Sequence, residues 1–392
     1  MATRSWSNNT ATVYTVPEIT PLELVRKLES GELIQIVDVR ARVGGTAVPG
    51  SIPEDKIHNI VGSRLLKSTR LEDTGMKPGT QVIVICAHGN DSKTAAQHLN
   101  RLGAQAWSLT GGVAAWMKLS VPRKLLPPST LDQLVQFDRV GKEALSYALI
   151  SNGKAMLIDP PRNFAAHLQF LVEEGATLIA VADTHVHADY ISGGLDISRR
   201  LGVPYYLHPA DSIYPYDSTP GHLEFTPVSD GMTIQFGRCV ITADHTPGHS
   251  PGSVTYRVGS EAAFTGDFLF ISSVGRPDLA DKTDEWASQL WRSIQRAKSS
   301  WTSAMMVYPA HYTSQTPRGD DGTIADSFSH LLANNPALKE MTEAEFLRWI
   351  KAHEAVVPAA YRTIKGINVG LFTAGEDEAD MLENGKNECA VL

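Results

Sequence analysis

Thr184-His185-Val186-His187-Ala188-Asp189-Tyr190 follows the apolar run Leu178-Ile179-Ala180-Val181-Ala182 and constrains this chain more than any other stretch. The apolar run predicts a buried strand, and alternate residues of an extended segment point the same way. We therefore expect His185, His187 and Asp189 to face one pocket. Buried imidazole and carboxylate groups are costly unless they are paired or bind a metal. The stretch predicts a metal site where the strand opens into a loop.

The bulk properties indicate a globular protein of two domains. A chain of 392 residues is too long for one ordinary core, and 42% hydrophobic with 20% charged residues is typical of globular proteins. The net charge of -8 argues against nonspecific binding to nucleic acid or to an anionic membrane. No apolar stretch approaches the length of a membrane span. We expect neither a nucleic-acid partner nor a membrane.

The termini and the cysteines favour a reducing compartment. The first ten residues are polar and lack the apolar region of a secretory signal. Cys86, Cys239 and Cys389 are too few and too scattered for a disulfide framework, which predicts a cytoplasmic protein. The last four residues, starting at Cys389, formally fit a prenylation box, a weak match that leaves modification of this cysteine open.

The pattern along the chain predicts five segments. Residues 1–14 are interpreted as a flexible tail, and residues 15–121 alternate strands with helices, as in a small parallel α/β domain. Residues 122–130 carry three prolines and two charges and are interpreted as a linker. Residues 131–372 contain many paired strands, which need two sheets with flanking helices to cover them. Residues 373–392 are acidic and predicted to be disordered.

Three further stretches of the second domain end in residues that can bind a metal. His249 lies in the Pro/Gly loop that starts at His245, Asp267 ends the run Phe264-Thr265-Gly266, and His311 follows Val307-Tyr308-Pro309-Ala310. Each lies at the end of a predicted strand, where open sheets place their ligand sites. Any single one of these histidines could be structural, but the set together predicts a metal centre.

These motifs resemble the metallo-β-lactamase superfamily, whose pattern is His-x-His-x-Asp-His followed by a single His, Asp and His. The resemblance covers about residues 131–372 and implies an αββα sandwich. The His of the family's Asp-His pair is replaced by Tyr190 in this chain. In two-metal members that His helps hold the second ion, together with the counterparts of Asp189 and His311. The departure favours one metal.

Within that superfamily the sequence is most similar to the persulfide dioxygenases, through residues 136–162, 247–252, 264–267 and 271–278. The resemblance implies one Fe(II) held by His185, His249 and Asp267, a set that leaves positions open for substrate and O2. His187, Asp189, Tyr190 and His311 are expected to surround these ligands and orient them. Arg276 and Arg162 are candidates for binding the carboxylates of a glutathione-like carrier.

Residues 15–122 resemble a rhodanese domain, through Asp38-Val39-Arg40, the loop Cys86 to Ser92 and the segment 111–116. In that family the cysteine carries sulfur as a persulfide, which implies a catalytic role for Cys86. A cysteine between a strand and a helix N-terminus is also well placed to be a thiolate. The usual Arg at the sixth loop position is Asp91, however, and its carboxylate would repel thiosulfate.

The sequence thus predicts a rhodanese-like domain fused to an Fe(II) persulfide dioxygenase. Its partners would be O2 and a small persulfide such as glutathione persulfide, with sulfite as the product, and homodimers are common among such enzymes. One alternative is a thioester hydrolase of the glyoxalase II type with a two-metal site and zinc in place of iron. The other is a sulfur-relay protein whose metal is only structural.

Overall fold

The structure is a computed structural model that describes residues 15–41, 50–280 and 282–391. The predicted tail at residues 1–14 lies outside the described residues. The chain divides into two compact units. Of the described residues, 15–41 and 52–116 form the first unit, and 50–51 with 117–391 form the second.

The first unit is the parallel α/β domain that the sequence predicts. Its described strands pair in the order β1-β5-β4-β2-β3, and every pair is parallel. Parallel strands need crossover connections, which the helices supply. The elements are β1 (Glu18–Ile19), α1 (Pro21–Glu29), β2 (Ile34–Asp38), β3 (Ile57–Asn59), α2 (Gly62–Leu65), β4 (Gln81–Ile85), α3 (Asn90–Arg101), β5 (Gln105–Leu109) and α4 (Gly112–Lys118), whose last residues belong to the second unit.

The second unit is built on two sheets. The described strands of the first sheet follow the order β12-β11-β10-β9-β8-β7-β6, and those of the second run consecutively from β13 to β18. The strands are β6 (Val121–Leu125), β7 (Gln133–Arg139), β8 (Ala144–Ser151), β9 (Lys154–Ile158), β10 (Thr177–Ala182), β11 (Tyr205–Leu207), β12 (Thr226–Pro227), β13 (Thr233–Phe236), β14 (Cys239–His245), β15 (Val254–Val258), β16 (Ala262–Gly266), β17 (Met306–Pro309) and β18 (Asp326–Ser327).

Helices accompany both sheets. They are α5 (Ala165–Glu173), α6 (Gly194–Leu201), α7 (Thr283–Ser300), α8 (Phe328–Asn334), α9 (Glu343–Ala352), α10 (Ala359–Asn368) and α11 (Glu376–Leu382). No helix among the described residues has the length and apolar character needed to cross a lipid bilayer.

Side chains alternate between the two faces of the first sheet and pack into two separate hydrophobic cores. Leu145, Tyr147 and Leu149 of β8 pack in one cluster with strands of the second sheet, while Ala148 and Ile150 pack in the other cluster with α5 and α6. Successive strand residues point to opposite faces, so one strand can serve both layers. The mixed α/β fold predicted from the sequence is confirmed, with sheet packed on sheet and helices outside.

The predicted linker at 122–130 is wrong in its first half, because Val121–Leu125 is strand β6, paired antiparallel with β7. Pro122 is tolerated there because β6 ends the strand order of its sheet. Arg123, which suggested a solvated linker, is buried and lies 3.1 Å from the carboxylate of Asp138. A buried ion pair therefore occupies a position that composition alone assigned to a loop.

The predicted disordered tail at 373–392 is also wrong over its described part. Glu376–Leu382 is helix α11. Arg162 forms ion pairs with Glu376 and Asp380 of this helix and with Glu383, which follows it. Cys389 is fully buried, so a prenyl group cannot be attached to its sulfur without undoing this packing. Specific charge pairing, invisible in composition, orders the segment.

His167 on α5 makes the stability of the second unit depend on pH. It stacks on Phe137 with ring centroids 3.9 Å apart, its Nε2 lies 2.8 Å from Ser146 Oγ, and burial lowers the pKa of His167 to about 3. Between pH 6.5 and 3 the unfolded chain binds the proton more tightly, so stability falls as the pH falls. We expect a loss of up to about 1.4 kcal/mol per pH unit between about pH 6 and 4.

His167→Gln keeps a polar side chain at this position and should remove that part of the pH dependence in urea unfolding at pH 7, 5.5 and 4. His330→Gln, an exchange at an exposed residue of α8, is the control. An unchanged pH slope in His167→Gln would contradict the assignment.

Candidate metal centre

The predicted ligands lie where four strands of the second unit end. His185 follows β10 of the first sheet, while His249, Asp267 and His311 follow β14, β16 and β17 of the second. β14 and β16 run in the same direction on either side of β15, and β17 is parallel to β16. Their carboxyl ends therefore meet at one edge of that sheet. The four strand ends lie together, and the role of these residues as metal ligands stays a prediction.

Three buried side chains converge at this edge. The ligand atoms of His185, His249 and Asp267 all lie within 4.8 Å of one another. Asp267 Oδ2 is 3.7 Å from His185 Nε2 and 3.4 Å from His249 Nε2. At most 1% of each residue's surface is exposed. We refer to these three residues as the triad.

The hydrogen bonds of the triad leave its inner atoms without partners. His249 Nδ1 lies 3.0 Å from the carbonyl of Arg276, which can only accept, so this nitrogen donates and Nε2 carries the lone pair. His185 Nδ1 lies 3.0 Å from Thr184 Oγ1, a hydroxyl that already donates to Asp159, which fixes the same tautomer. His185 Nε2, His249 Nε2 and Asp267 Oδ2 make no hydrogen bond within the described part of the chain. Two imidazole lone pairs and one carboxylate oxygen fit a divalent cation.

The electrostatics agree with a site for a positive ion. Burial lowers the pKa of His249 to about 4 and that of His185 well below its usual range, so both rings are neutral, as metal ligands must be. Burial would raise the pKa of Asp267, but the charge of His311 and the hydrogen bond from its ring hold it below the usual value. Asp267 therefore stays a carboxylate.

The structure corrects the expectation that the whole His-rich segment faces one pocket. The backbone after β10 is bent rather than extended. Only His185 joins the triad; His187 Nε2 lies 3.2 Å from Asp159, and Asp189 pairs with His311 at 3.0 Å. The alternate-residue rule failed because the segment leaves the sheet before His185.

His311 links the triad to Asp189. Its Nδ1 lies 2.7 Å from Asp267 Oδ1 and its Nε2 lies 3.0 Å from Asp189 Oδ2. Burial alone would lower the pKa of His311, but the two carboxylates raise it to about 10. His311 thus binds the Asp267 carboxylate through Oδ1, while Oδ2 faces His185 and His249.

Tyr190 occupies the place of the family's second-metal histidine and makes different contacts. Its hydroxyl lies 2.9 Å from His187 Nε2 and 3.2 Å from the carbonyl of Asp159, and its ring stacks on His187. Tyr190 therefore supports His187.

Two carboxylates that the sequence analysis did not identify as site residues position the ligand loops. Asp211 accepts hydrogen bonds from Val186 N at 2.7 Å, Ser250 Oγ at 2.8 Å and Gly252 N at 2.6 Å, which ties the His185 loop to the His249 loop. Asp159 accepts from the backbone and hydroxyl of Thr184. Asp211 follows a short strand with no motif around it, so the sequence carried no signal for its role.

Both units of the chain match known protein families. A model of the metallo-beta-lactamase superfamily matches residues 141–311, and a rhodanese-like domain model matches residues 20–119. An uncharacterised protein of Mycobacterium tuberculosis is 31% identical to this chain over 186 residues. The match covers 41% of this chain and 82% of the mycobacterial protein.

This chain belongs to the metallo-beta-lactamase superfamily.

A persulfide dioxygenase and a metallo-beta-lactamase are also similar to this chain. The mitochondrial persulfide dioxygenase of Bos taurus is 34% identical over 161 residues, covering 40% of this chain and 59% of that enzyme. The crystal structure of a metallo-beta-lactamase from Staphylococcus aureus matches with 25% identity and a TM-score of 0.51, covering 65% of this chain and 73% of the other. The fusion of a rhodanese-like domain with a metallo-beta-lactamase domain is thereby confirmed.

Both arginines proposed as substrate anchors already hold internal partners in the metallo-beta-lactamase domain. Arg276 is buried and makes two bonds of 2.6 Å to the carboxylate of Asp278. Arg162 is engaged by the carboxylates of the α11 region described above. A glutathione carboxylate could bind either guanidinium only by displacing these groups, so their substrate role stays a prediction.

The rhodanese-like domain places Cys86 between β4 and α3, as predicted. Gly89 N donates to Cys86 Sγ at 3.1 Å, and Sγ lies 3.3 Å from Ser92 Oγ. Asp91 is exposed in the first turn of α3, where a carboxylate favours the helix dipole. The same charge disfavours an anionic substrate at the loop.

His249→Ala should abolish tight binding of metal to the triad, because it removes one of the three inner atoms. We expect affinity for Fe(II) or Co(II) to fall by more than about 100-fold, beyond the range for loss of an outer partner. Titration followed by mass spectrometry of intact protein measures it. His245→Ala in the same loop is the matched control, since His245 Nε2 contacts the carbonyl of Pro251 and not the triad. Equal losses in the two variants would refute the assignment.

Asp91→Arg should raise thiosulfate:cyanide transfer by Cys86. Exchanging a negative for a positive charge near the bound anion is expected to increase kcat/KM about tenfold or more at low salt. Cys86→Ser in the Asp91→Arg background should return the rate to the uncatalysed level. If Asp91→Arg does not raise kcat/KM, repulsion by Asp91 is not what limits the reaction of Cys86 with thiosulfate.

Proposed function

We propose that this protein is an Fe(II) persulfide dioxygenase that oxidises glutathione persulfide, or a similar small persulfide, to sulfite and free thiol with O2 and water. The observation that carries the proposal is the triad of two neutral imidazoles and one carboxylate, buried and without inner partners. This ligand set is typical of nonheme iron oxygenases, which leave positions open on the metal. The similarity to the bovine persulfide dioxygenase supports the same chemistry.

His185, His249 and Asp267 would hold the iron. When bound, Fe(II) supplies open positions and the electrons through which a persulfide and O2 react. The residues around it keep the ligands in the correct state: Arg276 O and Thr184 Oγ1 fix the tautomers of the two histidines. His311 donates from Nδ1 to Asp267 Oδ1 and leaves Oδ2 for the metal.

The surroundings of the triad also suit oxidation rather than hydrolysis. Phe270 packs its ring against His311 with centroids 6.3 Å apart, and every triad atom is shielded from bulk water. Exclusion of water protects reactive intermediates from side reactions. Burial of the triad therefore suits an oxidation whose reactive intermediates must be kept from bulk water.

The alternative is a thioester hydrolase with two metal ions. Asp189 and His311 lie next to the triad, where a second ion of such an enzyme would be held. Tyr190, however, turns its hydroxyl to His187 and Asp159, so the third ligand of the usual second site is missing. That observation favours the dioxygenase.

Cys86 would transfer sulfane sulfur, the kind of sulfur that the metal centre is proposed to oxidise. Cys86 Sγ accepts a hydrogen bond from Gly89 N and lies within hydrogen-bond distance of Ser92 Oγ, so the position of the thiol in the loop is fixed. We propose transfer to or from a thiol rather than from thiosulfate, because Asp91 repels that anion. The compartment is proposed to be the cytoplasm; the bovine relative is mitochondrial.

Anaerobic loading with Fe(II), followed by an oxygen electrode assay on glutathione persulfide, tests the proposal. We expect O2 uptake with sulfite formed in equal amount, and we expect Asp267→Asn to lower kcat/KM at least about 100-fold, because a ligand charge is lost. His330→Gln should keep full activity.

Folded, iron-loaded protein that consumes no O2 with this substrate would refute the dioxygenase. Hydrolysis of a glutathione thioester by zinc-loaded protein would then support the alternative. Loss of all measurable function in Cys86→Ser, with His249→Ala fully active, would instead indicate a sulfur-relay protein.

A further inference from the structure

Two lysines of the second unit are buried without a carboxylate partner. Lys142 and Lys365 are each 2% exposed, and they are the only buried lysines among the described residues. Lys142 Nζ lies 3.4 Å from the carbonyl of Glu383, and Lys365 Nζ donates to the carbonyl of Val186 at 3.0 Å. No carboxylate of the described chain lies within 4.0 Å of either ammonium group. A buried charge without an opposite partner is costly, so such a lysine needs a compensating contribution elsewhere.

Lys365 lies on α10 and contacts the loop that carries His185. The residue after His185 is Val186, whose N–H donates to Asp211 at 2.7 Å while its carbonyl accepts from Lys365. Asn368, one turn later on α10, donates through its side-chain amide to two further carbonyls of the same loop, at 2.9 and 2.8 Å. An uncharged amide is therefore sufficient to attach α10 to this loop. Attachment alone does not explain why position 365 carries a charge.

The carboxylate that most favours the ammonium form of Lys365 forms its hydrogen bonds elsewhere. Burial lowers the pKa of Lys365, and the charge of Asp211 is the strongest of those that oppose this change. The two oxygens of Asp211 accept three hydrogen bonds, all from the loops that carry His185 and His249. Among the described residues the only acceptor for Lys365 Nζ is Val186 O, so two N–H groups of the ammonium have none. These two groups are available to bind an anion.

The charge of Lys365 acts on all three residues of the triad. Burial is the main reason why the pKa values of His185 and His249 are low, and the charge of Lys365 lowers both further. Asp267 in turn favours the charged form of Lys365. A positive charge beside a metal site opposes metal binding. The same charge becomes favourable when a negatively charged ligand joins the metal.

We propose that Lys365 determines specificity for an anionic ligand at the metal centre. In the reaction proposed above, on which this identity of the ligand rests, the anion is the deprotonated terminal sulfur of the persulfide. A persulfide S–H is more acidic than a thiol S–H, so the substrate is negatively charged at neutral pH. The reacting carbonyl of a thioester carries no charge. The ammonium group of Lys365 therefore attracts the persulfide more strongly than the thioester.

Binding of azide to the protein loaded with Co(II) tests the anion site without any turnover. Azide is a small anion, and its binding is followed by the visible absorption of Co(II) and by calorimetry. Lys365→Met keeps the length of the side chain and removes its charge, so we expect the Kd for azide to rise about tenfold or more. Lys365→Arg keeps the charge and should stay within about threefold of the unmodified protein. Lys154→Met, an exchange at an exposed lysine of β9, is the control and should bind azide normally.

Circular dichroism and the Co(II) content of each sample establish that the variants are folded and loaded. Lys365→Gln is a second neutral variant that still carries an N–H donor, and it takes the place of Lys365→Met if that protein does not fold. Unchanged azide affinity in a folded neutral variant would overturn the proposal. An equal loss in Lys365→Arg, or no azide binding by the loaded unmodified protein, would overturn it as well.

Oxygen uptake with glutathione persulfide is measured separately and tests the identity of the anion. Lys365→Met should raise KM about tenfold and change kcat much less, because the charge acts on substrate binding. An unchanged KM together with weakened azide binding would overturn the persulfide as the anion. If the unmodified protein consumes no O2 while its azide binding depends on Lys365, the dioxygenase is rejected and the anion site stands.

Discussion

The convergence of three lone pairs on one buried point governs the architecture of the second unit. His185 Nε2, His249 Nε2 and Asp267 Oδ2 face each other in a place closed to water. Such an arrangement is unfavourable without a cation, so the surrounding structure must hold it together. The strand ends, the two ligand loops and the carboxylate of Asp211 all contribute to that restraint.

Glycine at two positions makes this close approach possible. A side-chain carbon on Gly275 would lie 1.9 Å from the carbonyl oxygen of Asp267 and 2.9 Å from His249 Nδ1, and one on Gly266, at φ 54, would lie 2.3 Å from Thr184 Oγ1. Only a residue without a side chain fits where backbone packs against ligand in this way. The metal centre therefore depends on positions that carry no chemistry.

The sequence predicted which side chains lie at the candidate metal centre better than it predicted the contacts that position them. His185, His249, Asp267 and His311 were singled out because each follows an apolar strand, and that context is local. Asp211 was missed because its role comes from loops 25 and 39 residues away in sequence. Cys389 was interpreted only as a terminal motif, since its neighbours Asp189, His311 and Tyr361 lie far away in sequence and leave no local pattern. The segments 122–130 and 373–392 were misjudged for the same reason: charged side chains there find buried or opposite partners that composition does not reveal.

The backbone of residues 389–391 pairs with 274–276, where Arg276 N donates to Cys389 O at 2.8 Å and Val391 N donates to Val274 O at 2.9 Å. This pairing has a practical side for anyone who produces this protein. Cutting a recombinant form back to residue 388 or earlier would remove a short stretch of backbone hydrogen bonds next to the loop that steadies His249. Such shortened material would hold metal less tightly for a reason unrelated to its ligands. Boundaries chosen for expression should therefore retain residues 389–391.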